Sequence, residues 1–502
     1  MPDYTTPGVY AEDINSVVNM PTGTDPVAAF LGVAATGPVG TPTIIDSWNA
    51  YLTTFATGQD SAFLTNSYLA HAVYGFFQNG GKKCYVTRVT KGTVSSAGEV
   101  NYTAAKSANA AVSADSATVL AAGVFTAKSE GAWGNNITIE IPASGVDTTL
   151  NIFTLKVKYN GTVVESWGNL KPTSNTAGCF ADVLNAGSNY ISVANLSATL
   201  NLTALSGKTI TFTGGSDTYE SSGAPVQNEV YIAALSKLDF IDEIRLVAIP
   251  GADNNLQVAV ASYCTNFVYR IAICEGLETD NDSAITTLRG NLNGMNAALY
   301  SPWIKVTNPL SSNGALIAIP ACGHICGIYS RISNTRGFWK APAGTEANIR
   351  GAVDVVTIYS QTQTDVLNPK GINAIIPKTN YGIVIWGARS CSGDLPYISD
   401  LYTNITIKKN LYDLTQPLVF EPHDSKLWSK MTTICQTYLN DLFQRGAFVG
   451  DTAADAYLVK CDEELNPPSV RNAGKLIAEV GYAGKKPAEF IIIRISHDLT
   501  NA

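Results

Sequence analysis

Histidine, methionine and charge are all scarce in this chain of 502 residues: it has four His, four Met and 15% charged residues, against the ~25% charged content usual in soluble domains. Each scarcity excludes something. The four dispersed histidines, His71, His324, His423 and His497, offer little scope for acid–base chemistry, and no Gly-x-Ser-x-Gly nucleophile elbow occurs. No apolar run approaches the ~18 residues that cross a bilayer. The longest runs, around Ile383–Trp386 and Phe490–Ile493, are strand-sized, so direct membrane insertion is not expected. Lys and Arg number 33 against 41 Asp and Glu, for a net charge of -8, and no dense basic run occurs. Nucleic-acid binding by phosphate neutralisation is therefore not expected. Met1-Pro2-Asp3-Tyr4 has neither a basic nor an apolar leader, so a secretion signal is not expected either. The nine cysteines (84, 179, 264, 274, 322, 326, 391, 435, 461) are odd in number and mostly sit in apolar stretches, which predicts buried thiols rather than a disulfide framework.

What is plentiful is Ala, Ser, Thr, Asn and Gly, a composition suited to β-rich, closely packed domains. The length predicts three or four of them. Residues 1–25 read as an arm: Pro2, Pro7 and Pro21 punctuate them, and the few apolar residues (Val9, Tyr10, Ile14, Val17, Val18) cannot offset their own ordering entropy. Fully extended, the arm reaches ~80 Å. From Pro26 a strand at Val27–Ala34, helical spacing over Asn66–Phe77 and a strand at Cys84–Val89 make a strand–helix–strand unit. The same rhythm returns with Ile244–Ile249, Val258–Cys264, Val268–Cys274, a helix over Ser283–Tyr300 and a strand at Trp303–Val306. This alternation predicts a mostly parallel sheet in an α/β multidomain chain.

Residues 91–220 differ. Strand-like alternation at Ile137–Ile141, Phe153–Tyr159 and Ile210–Phe212, separated by turns such as Asn160-Gly161, predicts an inserted all-β surface domain. Near the C-terminus Leu427, Trp428, Met431, Ile434, Cys435, Tyr438, Leu439, Leu442 and Phe443 share one helical face, with Asp424 or Ser425 as cap and Gly446 as terminator. Strands are expected at Ala456–Cys461 and Leu476–Gly481. The run Phe490-Ile491-Ile492-Ile493-Arg494-Ile495 is aliphatic on both faces and must lie inside a sheet, its own or a neighbour's.

Signatures of chemistry turn out to be decoys. Ser206-Gly207-Lys208-Thr209 imitates the end of a phosphate loop, but that loop needs a glycine at position 202, which is Leu. A turn between strands explains it. Cys322-Gly323-His324-Ile325-Cys326 offers three ligands without the second pair that a closed zinc site requires; a small-residue helix start packed on a sheet explains it better. Glu421, Asp462, Glu463 and Glu464 read as caps or solvated faces. No catalytic residue, cofactor site or metal site is assigned.

The order of several blocks resembles the sheath protein family of contractile tails, found in myophage tails, R-type bacteriocins and contractile injection systems. The blocks are Thr6-Pro7-Gly8-Val9-Tyr10 with Glu12; Ala28–Gly32 with Gly37-Pro38; Phe76-Phe77-Gln78-Asn79-Gly80-Gly81 and Cys84–Val89; Gly327-Ile328-Tyr329-Ser330-Arg331; Arg336-Gly337-Phe338-Trp339-Lys340-Ala341-Pro342; Leu367-Asn368-Pro369-Lys370-Gly371-Ile372-Asn373; Trp386-Gly387-Ala388-Arg389; Val419-Phe420-Glu421-Pro422; Gly446-Ala447-Phe448; Val459-Lys460-Cys461-Asp462; and Pro487-Ala488-Glu489-Phe490-Ile491. The resemblance spans roughly 1–90 and 225–502. One departure is Ser390-Cys391-Ser392-Gly393, where family members often continue with Thr-Leu.

The resemblance implies an α/β sheath core (26–90 with 221–390), a C-terminal α+β domain (391–502), the 91–220 insert, and extended N- and C-terminal arms. It implies a non-enzymatic protomer of a contractile tail sheath without cofactors. Hexameric rings of such protomers stack helically around an inner tube, meet baseplate and tail terminator proteins, and contract to drive the tube through an envelope. Strand exchange between subunits would use Pro7, Gly8, Val9 and Tyr10 of one arm and Glu489, Phe490, Ile491, Ile492, Ile493 and Arg494 of the other. A virion tail, a bacteriocin and an extracellular injection system all remain open as its setting. The rival class is a cytoplasmic enzyme built on a parallel sheet, which requires a pocket of convergent polar groups.

Overall fold

Val27–Gly32 (β1) is buried at every position, as a run of apolar residues must be when its strand is covered on both faces. The computed structural model describes residues 26–489 except 66, 96–99, 103–108, 112–124, 174–175, 194–199, 201 and 217–225. The arm expected at 1–25 and the run from Phe490 onward lie outside the described residues.

Strand β1 is central to an eight-stranded sheet. Its other strands are β2 (Thr43–Ile45), β3 (Cys84–Arg88), β4 (Ile244–Ala248), β5 (Ile271–Glu275), β6 (Ala297–Ser301), β7 (Ile372–Lys378) and β8 (Gly382–Trp386), in the order β2-β3-β1-β4-β5-β6-β7-β8. The inner pairs are parallel; β2 and β8 join antiparallel at the two ends. The mixed α/β class expected from the alternation is the class observed. Two expected boundaries moved. The stretch Ser283–Tyr300 is a helix only over Asp282–Asn291; Ala297–Ser301 is strand β6, buried throughout, because the sheet overrides the helical preference of Ala and Leu. The strand expected from Trp303 forms at Ile304–Thr307 and belongs to a separate three-stranded sheet with Leu316–Ile319 and Asp354–Val355.

A second sheet, antiparallel throughout, is drawn from residues 109–213 and has its own apolar core of residues such as Ile137, Ile139, Phe153, Leu155, Val157 and Phe212. Ile152–Tyr159 alternates strictly between half-buried and buried, as a one-sided strand should. This region is not all-β as expected: helix Phe180–Gly187 buries Phe180 and Leu184. Residues just before it, including Val100 and Tyr102, pack instead against the core of the main sheet.

Helices α1 (Leu69–Gln78) and α3 (Cys322–Arg336) touch backbone to backbone, with α2 (Asn254–Phe267) elsewhere on the sheet. A Cβ at Gly323 would lie 2.2 Å from the Ala72 carbonyl oxygen, and one at Gly327 would lie 2.4 Å from that of Phe76. Gly323 and Gly327 therefore face α1, while the same helix start also packs on the sheet as expected, with Cys322 N–H donating to Glu275 at the end of β5.

The chain divides into two compact units. One takes in residues 26–405 and 486–489, the other 406–485. The C-terminal domain was expected to begin at 391. Residues 391–405 stay with the first unit because Cys391 is buried with its N–H on the Ala297 carbonyl, and Ile398 N–H donates to Ala388. The division falls inside helix α4 (Ile398–Thr415). The second unit holds α5 (Ser425–Gln444), which follows the predicted face: Leu427, Cys435, Tyr438, Leu439 and Leu442 are buried. Asp424 caps it, its carboxylate accepting from the Lys426 and Leu427 amides at 2.9 Å each, and Gly446 adopts the left-handed φ of +79° that ends it. Strands β9 (Tyr457–Lys460) and β10 (Glu479–Tyr482) pair antiparallel. Asn466, fully buried, closes the loop between them by accepting from Ile477 N–H and donating to the Asp462 and Ile477 carbonyls.

Gly323→Ala forces α1 and α3 apart at a backbone contact, and overpacking of this kind costs on the order of 1–3 kcal/mol. Urea unfolding of this variant is expected to show a lower midpoint, whereas Gly290→Ala, where the added Cβ meets nothing within 4 Å, leaves the midpoint unchanged or raised.

Candidate assembly site

The residues that might have done chemistry are absorbed by packing. Ser206-Gly207-Lys208-Thr209 is the turn into the strand Lys208–Thr213, with Gly207 at a φ of +73°. Cys322, His324 and Cys326 are buried in the first turns of α3, and among the described residues no group of three or more His, Cys, Asp or Glu is placed to hold a metal ion. The His324 ring fills the notch left by Gly75. Burial pushes the imidazoles of His71 and His324 down, to about 4 and about 3, so both are neutral near pH 7. All nine cysteines are free thiols, and eight of them are buried. Burial raises Cys391 and Cys435 to about 11, which keeps them protonated and weakly nucleophilic. Asp462 caps a turn by accepting from Leu465 N–H, and Glu421, Glu463 and Glu464 form exposed ion pairs with Lys430, Arg471 and Lys460.

Open parallel sheets bind ligands in the crevice at the carboxyl ends of the strands, where the order reverses. Among the described residues, aromatic side chains pack at that end of the sheet. Tyr68 lies edge-on to Trp303 and against Gly251, and Trp303 Nε1–H donates to the Gly276 carbonyl at 2.7 Å. The Glu275 carboxylate, at the end of β5, accepts from Gly251 N–H and, at the start of α3, Cys322 N–H, at 3.1 Å each. Desolvation pushes Glu275 up to about 7, against the opposing pull of these amides. A carboxyl raised this way favours the folded state at low pH. Its contribution is complete below about 4.5 and is lost as pH rises through about 7.

Three of the sequence blocks converge elsewhere. Asn373, fully buried in β7, donates to the carbonyls of Leu299 (3.0 Å) and Arg389 (2.8 Å), and accepts from Arg389 N–H at 2.7 Å. Gly387 is required there, since a Cβ would come within 2.9 Å of Asn373 Cα. Arg389 then grips Glu489: Nε lies 3.0 and 3.1 Å from the two carboxylate oxygens and Nη2 lies 2.5 Å from Oε2. Of the strand-exchange residues predicted from sequence, only Glu489 is described, and its partner Arg389 was not singled out. The departure at Ser390-Cys391 keeps the loop tied to the core, through Ser390 N–H to Pro396 and Cys391 N–H to Ala297.

The second unit presents a different feature. Among the described residues β9 and β10 pair only with each other as strands, with Phe448-Val449 adding one bridge and one hydrogen bond beside β10. Leu458 on β9 is exposed, and Phe420, between α4 and α5, is fully exposed at a left-handed φ of +70°.

Residues 224–391 match the family model for the phage tail sheath protein central domain. This stretch, about a third of the chain, is therefore similar to the central domain of tail sheath proteins. It is 23% identical over 198 residues to the tail sheath protein of Vibrio phage KVP40 and 26% identical over 168 residues to that of Salmonella phage ViI, matches that cover 37% and 32% of this chain. The matched regions are about a quarter of the length of those curated relatives, 27% and 25%. The fold is shared more widely. The helical sheath of the anti-feeding prophage in its contracted state aligns over 99% of this chain and 100% of its own at 22% identity and a TM-score of 0.57. A contracted sheath complex of an extracellular contractile injection system aligns over 99% of each chain at 17% identity and a TM-score of 0.57. The sheath tail protein of Listeria innocua aligns over 92% of this chain and 96% of its own, at 14% identity and a TM-score of 0.61.

Glu275→Gln is expected to change the pH profile. Between pH 4.5 and 8 the variant should gain roughly 3 kcal/mol relative to the parent, the equivalent of the shift in the Glu275 carboxyl. Denaturant midpoints of both proteins across that range measure the gain, and a constant difference contradicts it.

Proposed function

We propose that this chain is the structural, non-enzymatic protomer of a contractile tail sheath. Copies form stacked hexameric rings around an inner tube, and the stack contracts to drive the tube through a target envelope. The observation that carries the reading is the ladder of β9 and β10, which among the described residues pair as strands only with each other, in a chain that carries a region similar to the sheath central domain. A two-stranded sheet is marginal alone in water, and each strand offers main-chain donors and acceptors to an added strand. The sequence supplies two candidates: the coreless arm around Pro7, Gly8, Val9 and Tyr10, and the apolar run Phe490–Arg494. Donation of these segments to other copies is a heterologous contact, which builds open helical assemblies rather than closed dimers. Main-chain bonds depend little on side-chain fit, so such links survive rotation of the subunits.

The partners are then the chain itself, a tube protein, and baseplate and tail terminator proteins, with no nucleic acid and no membrane insertion. A virion tail is the setting of the curated relatives. The contracted injection-system sheaths share the fold over nearly the whole chain, which favours a bacteriocin or extracellular injection device as the second reading. In either setting residues 91–220 form a peripheral insert, supported by a core separate from that of the main sheet.

Negative-stain microscopy and sedimentation of the purified chain test this reading. Tubular polymers are expected, and removal of residues 1–20 is expected to leave a folded subunit that does not polymerise. Monodisperse globules from the full chain, or unchanged tubes after truncation, contradict it. Replacing residues 109–213 with a short Gly/Ser linker is expected to leave the main sheet folded and polymerisation intact, read by the same two methods.

A further inference from the structure

We propose that Arg389 is a positioning residue for the C-terminal exchange segment: by holding Glu489 within the same subunit, it fixes the point from which residues 490–495 depart. The proposal rests on the sheath reading and adds to it a residue and a mechanism.

Arg389 has a rigid mount. Its N–H and carbonyl are both held by the side chain of Asn373, which is fully buried and also bonded to Leu299 in β6. A bridge to Tyr397 pairs the backbone again, and the guanidinium lies 5.1 Å from the Tyr397 ring centre. The ion pair differs from the usual exposed one, which contributes little because two long side chains must be ordered in water. Here the Arg389 side chain is 23% exposed and that of Glu489 12%. Both Nε and Nη2 engage the carboxylate, a charge-assisted grip that fixes orientation as well as distance.

The location gives this grip a consequence. Residues 486–489 belong to the unit of 26–405, not to the 406–485 unit that immediately precedes them in sequence. The base of the exchange segment is therefore set by the sheath core, and Glu489 directly precedes the apolar run. A strand whose base is fixed meets an acceptor on another copy with less ordering cost and at higher effective concentration than one whose base wanders. Without the anchor, strand addition weakens although every strand residue is intact.

The test uses the full chain with Arg389→Ala, Glu489→Gln and the charge-swapped pair Arg389→Glu/Glu489→Arg. Hydrogen–deuterium exchange of the peptide around 483–489, measured below the polymerisation threshold, reads the anchor without reference to assembly. The threshold concentration for tubes, from sedimentation, reads positioning. Each single variant is expected to exchange about tenfold faster there and to raise the threshold by about tenfold, the equivalent of one charged hydrogen bond. The melting temperature should move by less than about 4 °C, and the swapped pair should recover both readouts. Unchanged exchange overturns the anchor, and faster exchange with an unchanged threshold overturns the positioning role. If the parent forms no tubes at any concentration, the sheath reading fails and the positioning role with it, while the exchange result still decides whether Arg389 holds Glu489.

Discussion

An unfinished β-ladder is the constraint on which the account turns. Backbone N–H and C=O groups along a strand seek partners, and an exposed row of them recruits another chain. The main sheet of this protein is edged by two short antiparallel strands, β2 and β8, and the outer side of β8 is bonded to residues 344–349. The ladder at β9 and β10 is not finished within the described residues. In the proposed assembly, this ladder is where strands from other copies would be added.

The unit that carries the main sheet is closely packed. Gly323 and Gly327 let two helices meet at backbone distance, Arg88 is buried with its guanidinium on the carbonyls of Ala34, Gly37 and Glu130, and Glu275 bridges the ends of β4 and α3. Close-packed interiors do not deform continuously; they move as units between discrete arrangements. A contractile polymer whose energy lies in the difference between two packings of one subunit needs such a body, joined by links that tolerate rotation. In the proposed assembly, main-chain strand pairing would meet the second requirement, and the Arg389–Glu489 ion pair would hold the base of the donated segment.

The strands of the main sheet were legible because buried parallel strands are short apolar runs between turns: Val27–Gly32, Cys84–Arg88 and Ile244–Ala248 all lie where the pattern put them. The helix α5 and its Asp424 and Gly446 boundaries were legible from period and caps. Strand β6 was not, since Ala297-Ala298-Leu299 has helical propensity and only the neighbouring strands settle its form. Helix α4 was missed because its buried face mixes Ile398, Leu401 and Ile405 with Ser399, Thr403 and Lys409, which blurs the period. At the candidate site, the blocks holding Asn373, Arg389 and Glu489 were visible as sequence, but their convergence was not. Residues 100 positions apart meet only once the fold brings them together, and no local spacing encodes that meeting.

The central claim is that copies of this chain complete one another's β-structure. A cryo-EM map of the assembled polymer, at a resolution that traces the backbone, tests it most directly. The account predicts that the two-stranded sheet of β9 and β10 gains strands contributed by residues 1–25 and 490–495 of other copies. A map in which those segments pair within their own subunit, leaving no sheet shared between chains, contradicts it.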